Sequence, residues 1–148
     1  MRKNISVKII AFFLFACNSF AQNKEIDSLL TCLKTEKDDT NKVWTYYNIS
    51  NAFEAIGSND TSILYANEAK KLAEKIKFDK GLGLAYFNIG AAYGNKDNYP
   101  DALQNYFLAL KIYEKIDFKK GMANVYTCLG NIYRRQEKYH EAREKYYL

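Results

Sequence analysis

The chain has 148 residues, of which 48% are hydrophobic, and it carries a formal net charge of +5. Three of the positive charges, Arg2, Lys3 and Lys8, lie in the first 21 residues, which contain no acidic residue, so the rest of the chain carries only +2. A net charge of +2 gives no support to nucleic-acid binding or to membrane binding through a polybasic surface. We therefore expect no nucleic-acid partner, and about 127 remaining residues can form one continuous core.

Residues 1–21 have the pattern of a secretory signal peptide. Positive residues precede a short apolar run, and Ser19-Phe-Ala21 provides a small-x-small cleavage site before Gln22. The apolar run is too short to span a bilayer, so no transmembrane helix is expected. We expect a mature chain that begins at Gln22 and is exported to the periplasm or the extracellular space.

A second interpretation of this segment stays open. Residues 14–17, Leu-Phe-Ala-Cys, resemble a bacterial lipoprotein box. In that case Cys17 would be lipidated and would become the first mature residue of a membrane-anchored lipoprotein.

Residues 22–41 are predicted to form a leading helix and a turn. Ile26, Leu29, Leu30 and Leu33 recur at helical spacing on one face. The run Asp-Asp-Thr-Asn at 38–41 then ends this element and caps the next helix.

Residues 42–148 contain one unit three times, at an offset of 40 residues. The second and third copies share the pattern aromatic-x-x-aliphatic-Gly-x-x-Tyr, followed by Ala-x-x-x-Tyr. Gly90 is therefore in register with Gly130, and Ala102 is in register with Ala142. A more divergent first copy has serine at both small positions. The units span about 43–82, 83–122 and 123–148, and the last is incomplete. A fixed period of this size predicts stacked copies of one small helical unit.

This order of residues resembles the tetratricopeptide repeat, whose pattern is Trp-x-x-Leu-Gly-x-x-Tyr followed by Ala-x-x-x-Phe. The resemblance implies an all-α, right-handed solenoid of stacked antiparallel helix pairs. The period exceeds the basic repeat of roughly 34 residues, and we expect the second helix of each unit to be the longer one. This long form is similar to the extracytoplasmic repeats of Bacteroidetes-type sensor and regulator proteins.

Periodicity and turn residues predict seven helices, near 24–35, 42–56, 61–77, 81–95, 99–116, 121–136 and 139–148. Glycine in mid-helix costs up to about 1 kcal/mol, so a repeated glycine indicates close helix–helix contact. We expect Gly90 to face Ala102 and Gly130 to face Ala142. Pro100, the single proline, stands near a helix start, where proline is tolerated.

In this family the first helix of each unit lines a concave groove that holds a peptide, and the resemblance implies partner-binding residues at the matching positions. They are rich in asparagine, whose amide can pair with a peptide backbone, and Trp44 and Tyr47 are plausible anchors. The set is Trp44, Tyr47, Asn48, Asn51, Phe87, Asn88, Ala91, Asn95, Asn124, Thr127, Cys128, Asn131, Arg134 and Arg135. Two alternatives stay open: Trp44 belongs to the core, or Arg134 and Arg135 form a solvated helix end.

Catalytic and metal-binding patterns are missing from the sequence. His140 is the single histidine, and there is neither a Cys-x-x-Cys nor a His-Glu-x-x-His motif. Gly81-Leu-Gly83 lacks the third glycine of a dinucleotide site. We expect no enzyme, no cofactor and no metal, and we expect two free thiols at Cys32 and Cys128, which lie on distant helices.

The sequence favours an exported tetratricopeptide-repeat interaction module that binds a peptide or protein partner. The alternative is the sensory region of a bacterial histidine kinase or transcriptional regulator, truncated before its output domain. The third unit stops inside its second helix, leaving Tyr139, Tyr146 and Leu148 uncovered. We therefore expect self-association through this end, or a longer parent chain.

Overall fold

The computed structural model describes residues 24–138 and residue 144. Six helices follow one another: α1 at 24–33, α2 Thr40–Ala55, α3 Asn59–Lys75, α4 Asp79–Asn95, α5 Tyr99–Lys115 and α6 Lys119–Arg135. No strand occurs among these residues, so the predicted all-α class is confirmed. The predicted signal peptide lies outside the described residues, as does the predicted helix 139–148 except for Glu144, which is helical.

The helices α2–α6 form two layers. Every consecutive pair packs together, and α2 also contacts α4 while α4 contacts α6. Within the described residues, α3 and α5 do not contact each other. Helices α2, α4 and α6 therefore form an inner layer, whereas α3 and α5 lie apart in an outer layer, as in a solenoid built from helix pairs.

Four consecutive helices have the same length and spacing. Each of α3 to α6 has 17 residues, and their first residues are Asn59, Asp79, Tyr99 and Lys119, which are 20 positions apart. The 40-residue sequence period thus consists of two equal halves. The expectation that the second helix of each unit is the longer one was wrong, because both helices of a pair are equally extended.

The junctions between these helices share one turn. The residue two positions after each helix has a positive φ, from +50° at Asp117 to +77° at Gly57. The next residue donates its backbone N–H to a carbonyl five positions earlier, for example Phe78 to Ala73 at 2.8 Å and Phe118 to Tyr113 at 2.8 Å. This is a Schellman cap, which satisfies the last carbonyls of the helix. Because the caps are identical, the chain makes the same turn at each of these helix junctions.

Small residues allow α4 and α5 to approach closely. A Cβ atom added to Gly90 would lie 2.9 Å from Cδ1 of Tyr106 and 3.2 Å from the carbonyl oxygen of Ala102. Ala102 and Tyr106 are buried in the core. The predicted contact of Gly90 with Ala102 is confirmed, and the partner predicted for Gly130 lies outside the described residues.

The first unit replaces this contact by hydrogen bonds. Ser50 and Ser62, both fully buried, occupy the glycine and alanine positions. The hydroxyl of Ser50 donates to the carbonyl oxygen of Ser62 at 3.0 Å, and the amide of Asn88 donates to the hydroxyl oxygen of Ser50 at 3.2 Å. The polar pair is thus satisfied within the core, as buried hydroxyls require.

Helix starts depend on caps and on packing. Asp39 caps α2 by accepting a hydrogen bond from the backbone N–H of Asn41 at 2.8 Å, as predicted. Helix α6 begins at Lys119, two residues before Gly121. The ring of Phe118 packs closely on this glycine, since a Cβ atom built there would lie 2.5 Å from Cδ1 of Phe118. This glycine, like its equivalent in α4, is a packing position and not a helix breaker.

Candidate functional site: a groove on the inner helix layer

Two cavities of about 320 Å³ each open on the inner layer. The tryptophan pocket lies at the amino-terminal halves of the inner helices, and the arginine pocket lies at their carboxyl-terminal halves. The tryptophan pocket is lined by Trp44, Tyr47, Lys80, Leu84, Phe87, Tyr113, Phe118, Lys120, Gly121 and Asn124. The arginine pocket is lined by Glu54, Phe87, Ala91, Gly94, Asn95, Tyr99, Tyr106, Cys128, Asn131, Ile132, Arg134 and Arg135. Phe87 belongs to both, so the two cavities form one groove.

Aromatic rings packed edge to face build the tryptophan pocket. The ring centroid of Trp44 lies 5.7 Å from that of Tyr47 and 6.4 Å from that of Phe78. On the opposite wall, Tyr113 and Phe118 meet at 5.2 Å. These distances are in the favourable range for edge-to-face pairs. The walls therefore hold a fixed apolar shape.

Lys80 lies between the two aromatic walls. Its Nζ is 4.7 Å from the ring centroid of Phe118 and 5.7 Å from that of Trp44, within the range of cation–π interactions. Lys120, 40 residues later and in the same register, lies on the same rim. Among the described lining residues of this pocket there is no carboxylate.

The arginine pocket contains a half-buried carboxylate. Glu54 Oε1 accepts a hydrogen bond from Asn95 Nδ2 at 3.0 Å, which links α2 to α4. Burial raises the pKa of Glu54, and the hydrogen bond from Asn95 opposes this shift. Arg135 on the pocket edge contacts Asp97 at 3.4 Å on the exposed surface. This end of the groove thus carries both signs of charge.

A thiol and a phenol form the floor of the arginine pocket. Burial raises the pKa of Cys128, and it also raises the pKa of the neighbouring Tyr106 hydroxyl. A raised pKa keeps the thiol protonated and poorly nucleophilic. Cys32 is exposed, and both cysteines are free. Burial thus favours the neutral forms of both Cys128 and Tyr106.

Known proteins resemble this chain in sequence and in fold. Residues 81–147 match the tetratricopeptide repeat family model. The crystal structure of the tetratricopeptide repeat (TPR) domain of Arabidopsis FLU is similar, with a TM-score of 0.65 and 17% sequence identity over 70% of this chain and 87% of that chain. At this identity the likeness concerns the fold alone. No curated protein sequence matches the chain.

The matched TPR segment begins at Gly81 and leaves out the first copy of the unit. Helices α2 and α3 of that copy nevertheless pack against each other and against α4 in the same layered arrangement. The serine pair at positions 50 and 62 stands where the later units have glycine and alanine. The first unit thus keeps the geometry with a different core contact.

Ten of the residues that sequence reasoning assigned to the groove line the two pockets. They are Trp44, Tyr47, Phe87, Ala91, Asn95, Asn124, Cys128, Asn131, Arg134 and Arg135. Trp44 is partly exposed and also packs on Phe78, so it contributes both to the pocket wall and to the first unit.

Four assigned residues line neither pocket. Asn48 and Asn51 stand outside both cavities, and Thr127 donates its hydroxyl to the carbonyl of Ala123 at 2.9 Å. Asn88 corrects a prediction: it is only 1% exposed, so its side chain is not open to the groove. Its amide instead bonds to Ser50 and to the carbonyl oxygen of Tyr47, which holds α4 against α2.

Sequence reasoning found Arg134 and Arg135 but missed Lys80, Lys120 and Phe118 in the tryptophan pocket and Glu54 in the arginine pocket. Lys80 and Phe118 lie in the first turn or the cap of an inner helix, outside the positions that were counted. The 40-residue repeat did contain a signal for these positions, because Lys80 and Lys120 are 40 residues apart, as are Phe78 and Phe118. Glu54 had no such signal, since glycine occupies the matching position 94.

The part of the chain that the structure describes, residues 24–138 and 144, offers neither a metal cluster nor a membrane span. No group of three or more histidine, cysteine, aspartate or glutamate side chains there could hold a metal ion. Within the same residues, none of the helices has the length and apolar character needed to cross a bilayer.

Proposed function

We propose that this protein is an exported TPR protein–protein interaction module without catalytic activity, which binds a peptide or an extended protein segment in its concave groove. The observation that carries the proposal is the pair of cavities on the inner layer that meet at Phe87. Pockets with apolar walls and a few polar groups are the usual form of a binding site.

The groove has dimensions that suit a short extended peptide. Trp44 and Glu54 stand ten residues apart on α2, which corresponds to about 15 Å along a helix. An extended chain covers this distance in about four or five residues. Asn95, Asn124 and Asn131 stand along the groove, where their amides could pair with a peptide backbone.

The absence of catalysis is proposed from the chemistry of the groove residues. A catalytic nucleophile is activated by an adjacent base, by a lowered pKa or by a metal ion. Cys128 has Tyr106 as its neighbour, and the pKa values of both groups are raised by burial. Glu54 is engaged by Asn95.

Selection from a displayed random peptide library tests the binding proposal. The purified protein is expected to enrich a family of peptides, and Phe87→Glu is expected to abolish their capture, because it places a charge where the pockets meet. Phe107→Glu is the matched control, since Phe107 is 46% exposed on the outer helix α5 and should leave capture unchanged. Equal capture by the Phe87 variant, or no enrichment by the parent protein, would contradict the proposal.

Export is supported by the pattern of residues 1–21 and is tested by mass spectrometry of the protein from its native host. A chain that begins at Gln22 is expected. A diacylated Cys17 would establish the lipoprotein interpretation instead, and a retained Met1 would exclude both.

A further inference from the structure

We propose that the tryptophan pocket selects a peptide in which an aromatic or aliphatic side chain stands next to an aspartate or glutamate, so that the apolar side chain enters the pocket and Lys80 pairs with the carboxylate. This inference rests on the proposed function and specifies the partner that one end of the groove accepts.

The walls of the tryptophan pocket suit an apolar anchor. Trp44 and Tyr47 form one side, and Tyr113 and Phe118 form the other. Their edge-to-face packing fixes the shape of the pocket before any ligand enters. A rigid aromatic pocket binds an aromatic or branched side chain with little loss of its own conformational freedom.

The rim of the same pocket is positively charged. Lys80 and Lys120 lie on it, and within residues 24–138 neither forms an ion pair with a carboxylate. Asp79, the neighbour of Lys80, is engaged 2.7 Å from Lys115. The two cations are therefore available to an acidic ligand, and a basic ligand would be repelled.

Lys80 can exchange its contacts with the aromatic rings for an ion pair with a carboxylate of the ligand. Its ammonium group lies over the faces of Phe118 and Trp44, a weak contact at a site that is partly exposed. A hydrogen bond between an ammonium group and a carboxylate is stronger than one between neutral groups. When an apolar side chain takes the place over the rings, Lys80 can keep its charge satisfied by turning to the adjacent carboxylate.

The two ends of the groove differ in the charges of the residues that line them. The arginine pocket contains Arg134 and Arg135 but also the carboxylate of Glu54, and Arg135 already pairs with Asp97, so a second negative charge there would meet both signs of charge. The tryptophan pocket has cations alone among its described charged residues. Charge complementarity thus assigns the acidic part of the ligand to the amino-terminal end of the inner helices.

Intrinsic fluorescence gives a direct measurement, because Trp44 is the single tryptophan of the chain. The probes are four blocked hexapeptides, Gly-Ser-Phe-Asp-Gly-Ser and its versions with Phe-Asn, Phe-Lys or Ser-Asp at the centre. The Phe-Asp peptide is expected to bind tightest by fluorescence and by calorimetry. The three others should bind about three- to tenfold more weakly, the scale of one charged or apolar contact at a partly exposed site.

Lys80→Gln should weaken the Phe-Asp peptide to the level of the Phe-Asn peptide and remove the preference between them. The matched control is Lys111→Gln, which removes the same charge from the exposed face of the outer helix α5 and should preserve the preference. A circular dichroism melt of each variant shows that it is folded.

The outcomes separate this inference from the proposed function. Equal affinity for Phe-Asp and Phe-Asn, or a preference that survives in Lys80→Gln, would overturn the acidic motif. If no hexapeptide binds, while library peptides bind and depend on Phe87, the motif is wrong and the groove function stands. If the library also yields nothing, both are wrong.

Discussion

At the scale of single residues, Gly90 and Gly94 stand one turn apart on α4 but meet different surroundings. A Cβ atom at Gly90 would press on Tyr106 and on the backbone of Ala102. At Gly94 the nearest atoms would be 3.9 Å away, which is ordinary contact distance. The same substitution at the two positions should therefore have opposite effects.

Gly90→Ala is expected to lower the free energy of unfolding by up to about 2 kcal/mol, because overpacking exceeds the gain in helix propensity. Gly94→Ala is expected to raise it by up to about 1 kcal/mol through helix propensity alone. Urea denaturation of both variants measures the two values. A stabilised Gly90→Ala would refute close packing as the reason for this glycine.

Glu54 provides a prediction on pH. Burial raises its pKa in the folded protein above the ordinary value of 4.5. Above the raised pKa, the ionised carboxylate of Glu54 therefore destabilises the folded state relative to the unfolded state. This destabilisation disappears at a pH where Glu54 is protonated in both states. Glu54→Gln should melt at a higher temperature than the parent protein at pH 7, and the difference should close as the pH falls toward 4.5. A difference that is constant from pH 7 to pH 4.5 would show that ionisation is not its cause.

At the scale of elements, the helix junctions carry a testable strain. Lys77 adopts φ +56° and Gly57 adopts φ +77° in equivalent caps. A residue with a Cβ atom is strained in this left-handed conformation, which destabilises the folded state by about 1–2 kcal/mol. Glycine adopts the conformation without strain, but it loses more backbone entropy on folding, about 0.5–1 kcal/mol. Lys77→Gly should thus raise the free energy of unfolding by up to about 1 kcal/mol.

Gly57→Ala is the reverse experiment and should lower the free energy of unfolding by about 1 kcal/mol. No atom lies within 4 Å of a Cβ built at Gly57, so a steric contact would not confuse the result. Chemical denaturation of the two variants in parallel gives the comparison. Changes of the same sign in both would contradict the strain argument.

The bounds of α2–α6 could be predicted within about two residues, because the 40-residue period places every helix in register with an equivalent one. The largest errors are at helix starts, where Gly81 and Gly121 were taken as boundaries although Phe78 and Phe118 pack onto them from the cap. The positions of Trp44 and the arginines in the groove followed from the same register.

The sequence could not predict which polar side chains turn inward. Asn88 sits at a groove position of its helix, yet a serine at position 50 draws its amide into the core. The positive charge of the tryptophan pocket also escaped prediction, because Lys80 lies in the first turn of α4, outside the positions that the repeat pattern assigns to the groove. Such cases depend on three-dimensional neighbours that no helical period encodes.

At the scale of the whole molecule, α4 is the central element. It contacts α2, α3, α5 and α6. In a solenoid each unit is stabilised by its neighbours, so a defect in the middle should weaken both sides, whereas a defect in an outer unit should stay local. Ile49 and Ile89 permit a matched test, because they are buried at equivalent positions of the first and second units.

Either isoleucine-to-alanine substitution is expected to cost about 2–5 kcal/mol. Ile89→Ala should accelerate amide hydrogen exchange in all helices from α2 to α6. Ile49→Ala should accelerate it mainly in α2 and α3 and leave α6 protected. Identical exchange patterns would mean that the molecule unfolds as one unit without nearest-neighbour behaviour.

The identical caps that end at Phe78 and Phe118 have a consequence for the gene. The residue that follows each of them opens an inner helix of the same length, Asp79 in one case and Lys119 in the other. Recombination between the two copies in DNA would delete or duplicate a complete helix pair and leave every remaining cap unchanged. The groove can therefore lengthen or shorten during evolution in whole steps, and a new partner can be accommodated by a change in copy number before any contact residue mutates.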